Sequence, residues 1–346
     1  MTKKEVVKMV LDGKKPPYVP WDCKFTLEAL EKLREHYGEG IDVEELVDNH
    51  YLKLGQSSGF KRDIGGGHKI DIFGVDWDMT IEKDIGNVHG CVLPEPTMDN
   101  YKFPDPKDPI LYEGMEERIK ANPDKFIIYS IGFSLFERSW TLRGMENVFM
   151  DFMMYPDFYK ELLNKIADFN IAVTSYVAET YPEVDAFYYG DDWGAQKGLL
   201  MGKDMWMEFI HPVVKRMYDN THKYGKYQLI HSCGDIAEII PELIEAGVNS
   251  INPFQPESLD VFDLLKKYKG QVTFHGGLST QRTLPYGTVE DVQRETRALI
   301  EAGKDGSYVF CPAHATEGDT PVENMIAFIE IIKEQKERGL KAAGLL

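Results

Sequence analysis

The sequence is poor in cysteine, in positive charge and in long apolar runs. Its 4 cysteines in 346 residues are too few and too dispersed for a disulfide framework. A formal net charge of −18 argues against binding to the phosphate backbone of a nucleic acid. The most apolar run, 126–136, is about half as long as a bilayer requires, and the first residues lack a signal peptide's apolar core. We therefore expect a cytoplasmic protein that binds neither nucleic acids nor membranes.

From residue 111 onward, apolar strands alternate with long amphipathic helices. This alternation predicts a parallel sheet. Strands are predicted near 18–21, 126–130, 185–189, 227–230, 248–251, 272–274 and 308–310. We predict a (β/α)8 TIM barrel that forms one domain over 1–346. Residues 1–110 would contain an N-terminal cap and an excursion, and 111–340 the regular βα repeats; a doubly wound open sheet is the alternative.

The segment 56–110 is rich in Gly, Asp and Pro and lacks this regularity. Short β-like runs are predicted at 70–75 and 79–82, and the segment is expected to supply the eighth barrel strand. Its Gly65-Gly-Gly-His68 string lacks the following helix and the Lys-Ser/Thr pair of a phosphate-binding loop, so it is predicted to be a turn. We expect the segment to cap an active site.

Residue types that are common in catalytic and metal-binding sites follow the predicted strands. Parallel barrels carry their active sites at the carboxyl ends of the strands. The segments at these ends are Gly132-Phe-Ser134, Gly190-Asp-Asp-Trp-Gly194, His231-Ser-Cys-Gly234, Asn252-Pro-Phe-Gln255, His275-Gly-Gly277 and Cys311-Pro-Ala-His314. Turns account for the Gly and Asp, but not for the clustered His and Cys. The sequence therefore predicts an active site at this end of the barrel.

The first hypothesis is that some of these residues bind zinc. Side chains alternate along a strand, so His231 and Cys233 point to the same side, and zinc takes nitrogen and sulfur ligands in a tetrahedral shell. Cys311 and His314 compete for the third position. An acid, an amide or water would fill the fourth, as in catalytic zinc sites. The alternative is that Cys311 and His231 are ordinary core residues.

Two adjacent acids, Asp191 and Asp192, form a second candidate cluster. One is expected to cap the next helix, which leaves the other for acid/base catalysis or for zinc. His275 is expected either to act in catalysis or to pack over the barrel rim. Side chains predicted to bind substrate are Trp21, Phe133, Tyr189, Trp193, Asn252 and Gln255, although some of the aromatic ones must belong to the core.

Five strings together resemble the uroporphyrinogen decarboxylase superfamily over about residues 110–340. They are Asp185-Ala-Phe-Tyr-Tyr-Gly-Asp-Asp-Trp-Gly-Ala-Gln196, His231-Ser-Cys-Gly234, Phe274-His-Gly-Gly277, Leu284-Pro-Tyr-Gly-Thr288 and Thr320-Pro-Val-Glu-Asn324. The resemblance implies a (β/α)8 barrel. It also implies one of two activities, because the superfamily contains the decarboxylase itself and zinc-dependent methyltransferases that serve corrinoid proteins.

The resemblance is closer to the methyltransferase group. The decarboxylase grips its tetrapyrrole with an Arg-Gln-Ala-Gly-Arg segment, whereas Val19-Pro-Trp-Asp-Cys-Lys-Phe25 contains no arginine here. A substrate with eight carboxylates would also be repelled by a chain of charge −18. The methyltransferases hold zinc with His-x-Cys and a later Cys. His231 and Cys233 match the first two, and counting back from Thr320-Pro321 puts His314 at the third position, with Cys311 as the alternative.

Two methyltransferase roles remain open. The enzyme would either move a methyl group from a methylated corrinoid protein to a thiol such as coenzyme M, or take it from a methoxylated aromatic substrate and give it to Co(I) of a corrinoid protein. The Asp191-Asp192 pair, the aromatic mouth and the Cys-to-His change favour the second. The chain lacks the Asp-x-His-x-x-Gly motif that attaches a corrinoid, so cobalamin is expected on a partner protein. A non-catalytic binding barrel is a further alternative for the function. For the assembly, a homodimer is considered.

Overall fold

The computed structural model of the protein describes residues 1–56 and 62–346. The strands in these ranges are β1 (Tyr51–Gln56), β2 (Arg62–Gly65), β3 (His68–Ile70), β4 (Asp76–Asp78), β5 (Asn87–His89), β6 (Phe126–Ile131), β7 (Ala186–Gly190), β8 (Gly194–Ala195), β9 (Gly198–Leu199), β10 (Tyr227–His231), β11 (Ser250–Phe254), β12 (Thr273–Leu278) and β13 (Tyr308–Pro312).

The helices surround the larger sheet. They are α1 (Lys3–Leu11), α2 (Leu27–Tyr37), α3 (Val43–Val47), α4 (Met115–Ala121), α5 (Phe136–Arg143), α6 (Met145–Met154), α7 (Pro156–Thr180), α8 (Lys203–Met205), α9 (His211–Lys223), α10 (Ile240–Glu245), α11 (Val261–Lys267), α12 (Thr283–Tyr286), α13 (Val289–Gly303) and α14 (Val322–Ala342). A π-helical turn, Trp206–Ile210, joins α8 to α9, and 3-10 turns lie at Pro109–Tyr112 and Ala237–Ile239. Within the described ranges, no helix combines the length and the apolar character that crossing a bilayer requires.

Seven parallel strands and one short segment close into a barrel. The sheet order is β1-β6-β7-β10-β11-β12-β13. Trp21 forms a parallel bridge with Phe310 of β13, and on its other side its carbonyl accepts a 3.1 Å hydrogen bond from the His50 amide, next to β1. The segment around Trp21 therefore occupies the eighth position. The predicted (β/α)8 barrel is confirmed, and the doubly wound open sheet is wrong.

The barrel strand that was not located in the sequence lies outside most of the segment that was expected to supply it. That strand is β1, which ends at Gln56, the first residue of the segment 56–110; residues 57–61 lie outside the described residues. Leu52 and Leu54 are buried in the core, but Lys53 between them faces the barrel mouth. A lysine in the middle of the strand breaks the apolar run that marks a buried strand in the sequence.

Helix α1 closes the amino-terminal end of the barrel. Its Val7 and Val10 pack against Phe126 and Leu229, whose side chains point into the barrel. Because side chains alternate along a strand, His231 points to the same side as Leu229 but lies two residues nearer the carboxyl end. Apolar packing thus fills one end of the barrel, and polar side chains are left at the other.

The segment after β1 builds a second, antiparallel sheet in the order β2-β3-β4-β5. The β-like runs predicted at 70–75 and 79–82 are wrong, since the strands lie at His68–Ile70 and Asp76–Asp78. Asp71 explains the difference, because its carboxylate accepts hydrogen bonds from the amides of Phe73 and Val75 and draws them into a turn. The turn predicted at 65–68 is confirmed, since it links β2 to β3.

This antiparallel sheet packs against the mouth of the barrel. Trp77 on β4 is buried, with its ring 5.0 Å from that of Phe133. Its indole N–H donates to Asp71, which also receives a 2.7 Å hydrogen bond from Arg138 of α5. Both partners of the Asp71–Arg138 ion pair are buried, so the pair fixes the sheet to the barrel at a specific position.

Candidate metal centre

Three of the four predicted zinc ligands converge at the carboxyl end of the barrel. His231 ends β10, Cys233 follows it, and His314 lies just beyond β13. One ligand atom from each lies within 4.8 Å of the others, and His231 Nε2 is 3.4 Å from Cys233 Sγ. A zinc ion bound tetrahedrally by a nitrogen and a sulfur would hold them roughly 3.5 Å apart. Cys311 lines the same cavity but does not belong to this cluster.

Hydrogen bonds orient the His231 ring for metal binding. The Asn252 amide donates to the His275 carbonyl at 3.0 Å, so its oxygen faces His231 Nδ1 at 2.8 Å. The same oxygen accepts from the Tyr188 hydroxyl at 2.7 Å. His231 therefore carries its proton on Nδ1, and the lone pair of Nε2 faces Cys233. Metal-binding histidines are commonly held in this way.

The glycine that follows Cys233 is required by the turn. Gly234 has a φ of +83°, and a Cβ atom there would lie 2.4 Å from the carbonyl carbon of Gly194. Only glycine fits such a close approach. The Cys233 amide donates to Asp192 Oδ1 at 2.8 Å, which holds the thiol beside His231.

The protonation states of the three side chains suit a metal. Burial lowers the pKa of His231 to about 4, and it also lowers the pKa of His314, so both rings are neutral at pH 7. Burial raises the pKa of the Cys233 thiol, so ionising it requires a nearby cation. A divalent metal supplies that charge and needs neutral imidazoles. Two nitrogens and one sulfur therefore fit zinc.

Asp191 caps a helix, but not the one that follows it in the chain. Its carboxylate accepts hydrogen bonds from the amides of Leu135, Phe136 and Glu137 at the start of α5, and from the Trp193 indole. Burial nevertheless raises the pKa of Asp191 to about 6. Asp191 is buried and does not line the cavity, so its observed role is to cap α5.

Three acids line the cavity, Asp22, Glu137 and Asp192. Asp192 Oδ1 lies 3.7 Å from His231 Nε2. Glu137, in the first turn of α5, was missed by the sequence reasoning, because nothing in a helix start distinguishes a catalytic acid from a capping one. Burial, and then the negative charge of Asp192, raise the pKa of Glu137 well above its usual range. A raised pKa favours the protonated carboxyl group, which is the form that can donate a proton.

The cavity between these residues has a volume of about 270 Å³. It opens into a wider groove of about 1360 Å³ on the protein surface, and the two share Asp22, Lys24, Lys53 and His314. The residues along the cavity wall come from most of the barrel's strand ends. Among them are Phe133, Glu137, Tyr188, Asp192, Asn252, His275, Cys311 and Pro312.

The structure divides the predicted substrate-binding residues into two groups. Phe133 and Asn252 line the cavity. Trp21, Tyr189 and Trp193 are buried away from it: Trp21 donates to the Val47 carbonyl, Tyr189 packs on Tyr218 and Trp193 on Trp206. Gln255 accepts from the Gly234 amide and supports the turn after Cys233. Trp21, Tyr189, Trp193 and Gln255 therefore have structural roles, because their side chains contact the surrounding structure and do not enter the cavity.

His275 lies in the cavity wall and is almost fully buried. Its ring stacks on Tyr51 at 5.4 Å, and neither ring nitrogen has a hydrogen-bond partner among the described residues. Burial lowers the pKa of His275 to about 4, so the ring is neutral. Buried polar atoms without partners are uncommon, and here they are available to a bound ligand.

Two lysines form one side of the cavity, and the sequence reasoning missed both. Lys53 Nζ lies 4.9 Å and Lys24 Nζ 5.8 Å from the centre of the Tyr188 ring. Burial, together with the charge of Lys24, lowers the pKa of Lys53 to about 7. The Asp22 carboxylate, 3.7 Å from Lys24 Nζ, offsets part of this repulsion, and an anionic group bound between the two lysines would offset more of it.

Comparisons with known proteins agree with this fold. A family described as "Uroporphyrinogen decarboxylase (URO-D)" matches residues 69–335. The uroporphyrinogen decarboxylase of Mannheimia succiniciproducens is 24% identical over 327 residues, which cover 90% of this chain and 82% of that protein. A solved methyltransferase from Methanosarcina mazei aligns with a TM-score of 0.71 and 16% identity over 96% of this chain and 99% of its own. The protein thus belongs to the uroporphyrinogen decarboxylase family.

Proposed function

We propose that this protein is a zinc-dependent methyltransferase that removes a methyl group from a small methoxylated aromatic substrate. Co(I) of a partner corrinoid protein would accept the methyl group. The observation that carries the proposal is the convergence of His231, Cys233 and His314 at the barrel mouth. The likeness in fold to the Methanosarcina mazei methyltransferase is consistent with it.

The residues around the cavity would have different roles in the cleavage of an aryl methyl ether. His231, Cys233 and His314 would hold zinc, which when bound supplies a Lewis acid for the ether oxygen. The C–O bond would break with its electron pair staying on oxygen, and the electron pair of the new bond to the methyl carbon would come from Co(I) of the partner's corrinoid. Glu137 gives its proton to the phenolate oxygen. The charge of Asp192 disfavours the ionised form of Glu137 and so favours its reprotonation from solvent.

The size of the cavity favours a single-ring substrate. About 270 Å³ accommodates one substituted ring, but not the macrocycle of a tetrapyrrole. This supports demethylation over the decarboxylation of such a macrocycle. The wider groove outside gives a partner protein access to the methyl group, because it reaches His314 from the surface.

The paired lysines indicate that the substrate carries an acidic group. Lys24 and Lys53 both have their Nζ atoms within 5.8 Å of the centre of the Tyr188 ring, and Tyr188 is hydrogen-bonded to the Asn252 oxygen that orients His231. A carboxylate held by the lysines would therefore place the rest of a small ring towards the metal ligands. We propose a methoxylated aromatic carboxylate as the substrate class.

Replacing Lys53 by methionine is expected to raise KM for a methoxybenzoate about 10- to 100-fold with little change in kcat, since a hydrogen bond to a charged group is worth about 1.5–3 kcal/mol. Demethylation of methoxybenzoates and of neutral methoxybenzenes, with cob(I)alamin as acceptor, measures the effect. The neutral ethers should be used equally well by both proteins. Lys197→Met, at an exposed site on the β8–β9 turn, is the matched control. An equal loss with charged and neutral ethers would show that Lys53 does not recognise the acid.

A further inference from the structure

A second cluster of potential metal ligands lies on the antiparallel sheet, away from the barrel cavity. His68 Nδ1 is 2.9 Å from one carboxylate oxygen of Asp76, and His89 Nδ1 is 3.0 Å from the other. The two imidazole rings are 5.2 Å apart. One ligand atom from each of the three residues lies within 4.8 Å of the others.

The strand register places all three side chains on the same face. Asp76 on β4 pairs directly with His89 on β5, and His68 on β3 pairs with Asp78, two residues from Asp76. Residues two apart on a strand share a face, so His68, Asp76 and His89 point to the same side of the sheet. Trp77 points to the other side, where it packs on Phe133 of the cavity wall.

We infer that His68, Asp76 and His89 form a second metal site, which binds zinc or a similar divalent transition metal. Two imidazoles and one carboxylate are a common ligand set for such ions, and a site with three protein ligands keeps a position for water. The side chains of His68 and Asp76 are 27% and 24% exposed, and that of His89 is 66% exposed, so an ion and its water can enter. The ligand set contains no sulfur, unlike the set in the barrel.

A metal here would tie three strands of the sheet together. The connection between β4 and β5 brings Ile85 into the wall of the barrel cavity. Without the metal, the strands are held at this point by the hydrogen bonds of the imidazoles to Asp76. With it, β3, β4 and β5 share one ion, which stiffens the wall formed by Phe133 and Ile85. The site would be structural rather than catalytic, since it lies on the face opposite Trp77.

Zinc titration into chelator-treated protein, followed by calorimetry, tests this inference. In a His231→Ala/Cys233→Ala background two of the three barrel ligands are removed, and we expect one equivalent of zinc to bind to the sheet. Adding His89→Ala should abolish that equivalent, and Asp76→Asn should do the same. His36→Ala, at an exposed histidine of α2, should leave it unchanged. His89 is exposed, so its replacement is not expected to prevent folding.

The absorption spectrum of bound cobalt distinguishes the two proposed metal sites. Cobalt in the barrel site would give a thiolate-to-cobalt charge-transfer band from Cys233, whereas cobalt on the sheet would give only ligand-field bands. His89→Ala alone should leave the charge-transfer band intact and remove one equivalent of metal. The inference is overturned if the folded His231→Ala/Cys233→Ala protein binds no zinc, or if His89→Ala leaves its zinc content unchanged. Either result leaves the barrel site untouched.

Discussion

Replacing Cys233 with alanine is expected to remove one zinc equivalent per chain and to lower turnover by more than about 100-fold. Replacing a residue that hydrogen-bonds to a metal ligand typically lowers metal affinity or activity about 10- to 100-fold. Replacing the ligand itself should therefore lower turnover further. Without the thiol, only the two imidazoles of His231 and His314 remain of the cluster. Elemental analysis and the rate of demethylation measure the two effects in the same sample.

Cys311→Ala is the matched control for this experiment. Cys311 lines the same cavity and is more deeply buried than Cys233, but it does not belong to the ligand cluster. Zinc content should be unchanged in this variant. If Cys311→Ala loses zinc while Cys233→Ala keeps it, the ligand set is wrong. If Cys233→Ala keeps both zinc and activity, the metal-based mechanism fails.

The second large effect is expected for Glu137→Gln. Burial and the neighbouring Asp192 raise the pKa of Glu137, and glutamine removes the proposed proton donor while it preserves the shape of the side chain. A general acid contributes about 10²- to 10⁴-fold, and kcat should fall within that range. KM and zinc content should stay near their wild-type values.

The dependence of the activity loss on the acidity of the leaving phenol shows whether Glu137 donates a proton or has only a structural role. Electron-poor phenolates leave without help, so ethers of acidic phenols should lose much less activity in Glu137→Gln than ethers of ordinary phenols. A loss of equal size for every leaving group would contradict the role assigned to Glu137. Glu146→Gln, at an exposed position in the first turn of α6, serves as the control.

The convergence of His231, Cys233 and His314 could be predicted because the direction of side chains along a strand follows from the sequence. A strand that ends in His231 puts Cys233 on the same side, and the barrel rule brings the end of β13 to the same place. The choice between Cys311 and His314 could not be made from alternation alone. In the structure Cys311 is still within β13, whereas His314 lies beyond the strand, where the backbone is free to turn towards His231.

Residues outside this pattern were misplaced or missed. Either Asp191 or Asp192 was expected to cap the helix that follows them, but Asp191 caps α5, which precedes it in the chain. Only the packing of neighbouring βα units reveals such a contact. Lys53 was missed because a lysine in a strand argues against burial, and Glu137 because it opens a helix.

Strand parity could have corrected one of the aromatic assignments. Tyr188 and Tyr189 are adjacent in β7, so they must point to opposite sides. Ile230 pairs with Tyr189 and Leu229 with Tyr188, which puts Tyr188 on the inner side with Leu229. In the structure Tyr188 indeed lines the cavity, and Tyr189 packs outside on Tyr218.

Transfer of a labelled methyl group tests the proposed activity most directly. Zinc-loaded wild-type protein is mixed with a ¹³C-methoxybenzoate and one equivalent of cob(I)alamin under exclusion of oxygen. We expect the Co(I) absorbance to disappear as the label moves to cobalt and a hydroxybenzoate forms in equal amount, and the reaction to stop when zinc is removed. If the zinc-loaded protein transfers no methyl group from the ether, yet methylates a thiol from methylcobalamin, the proposed direction of transfer is wrong.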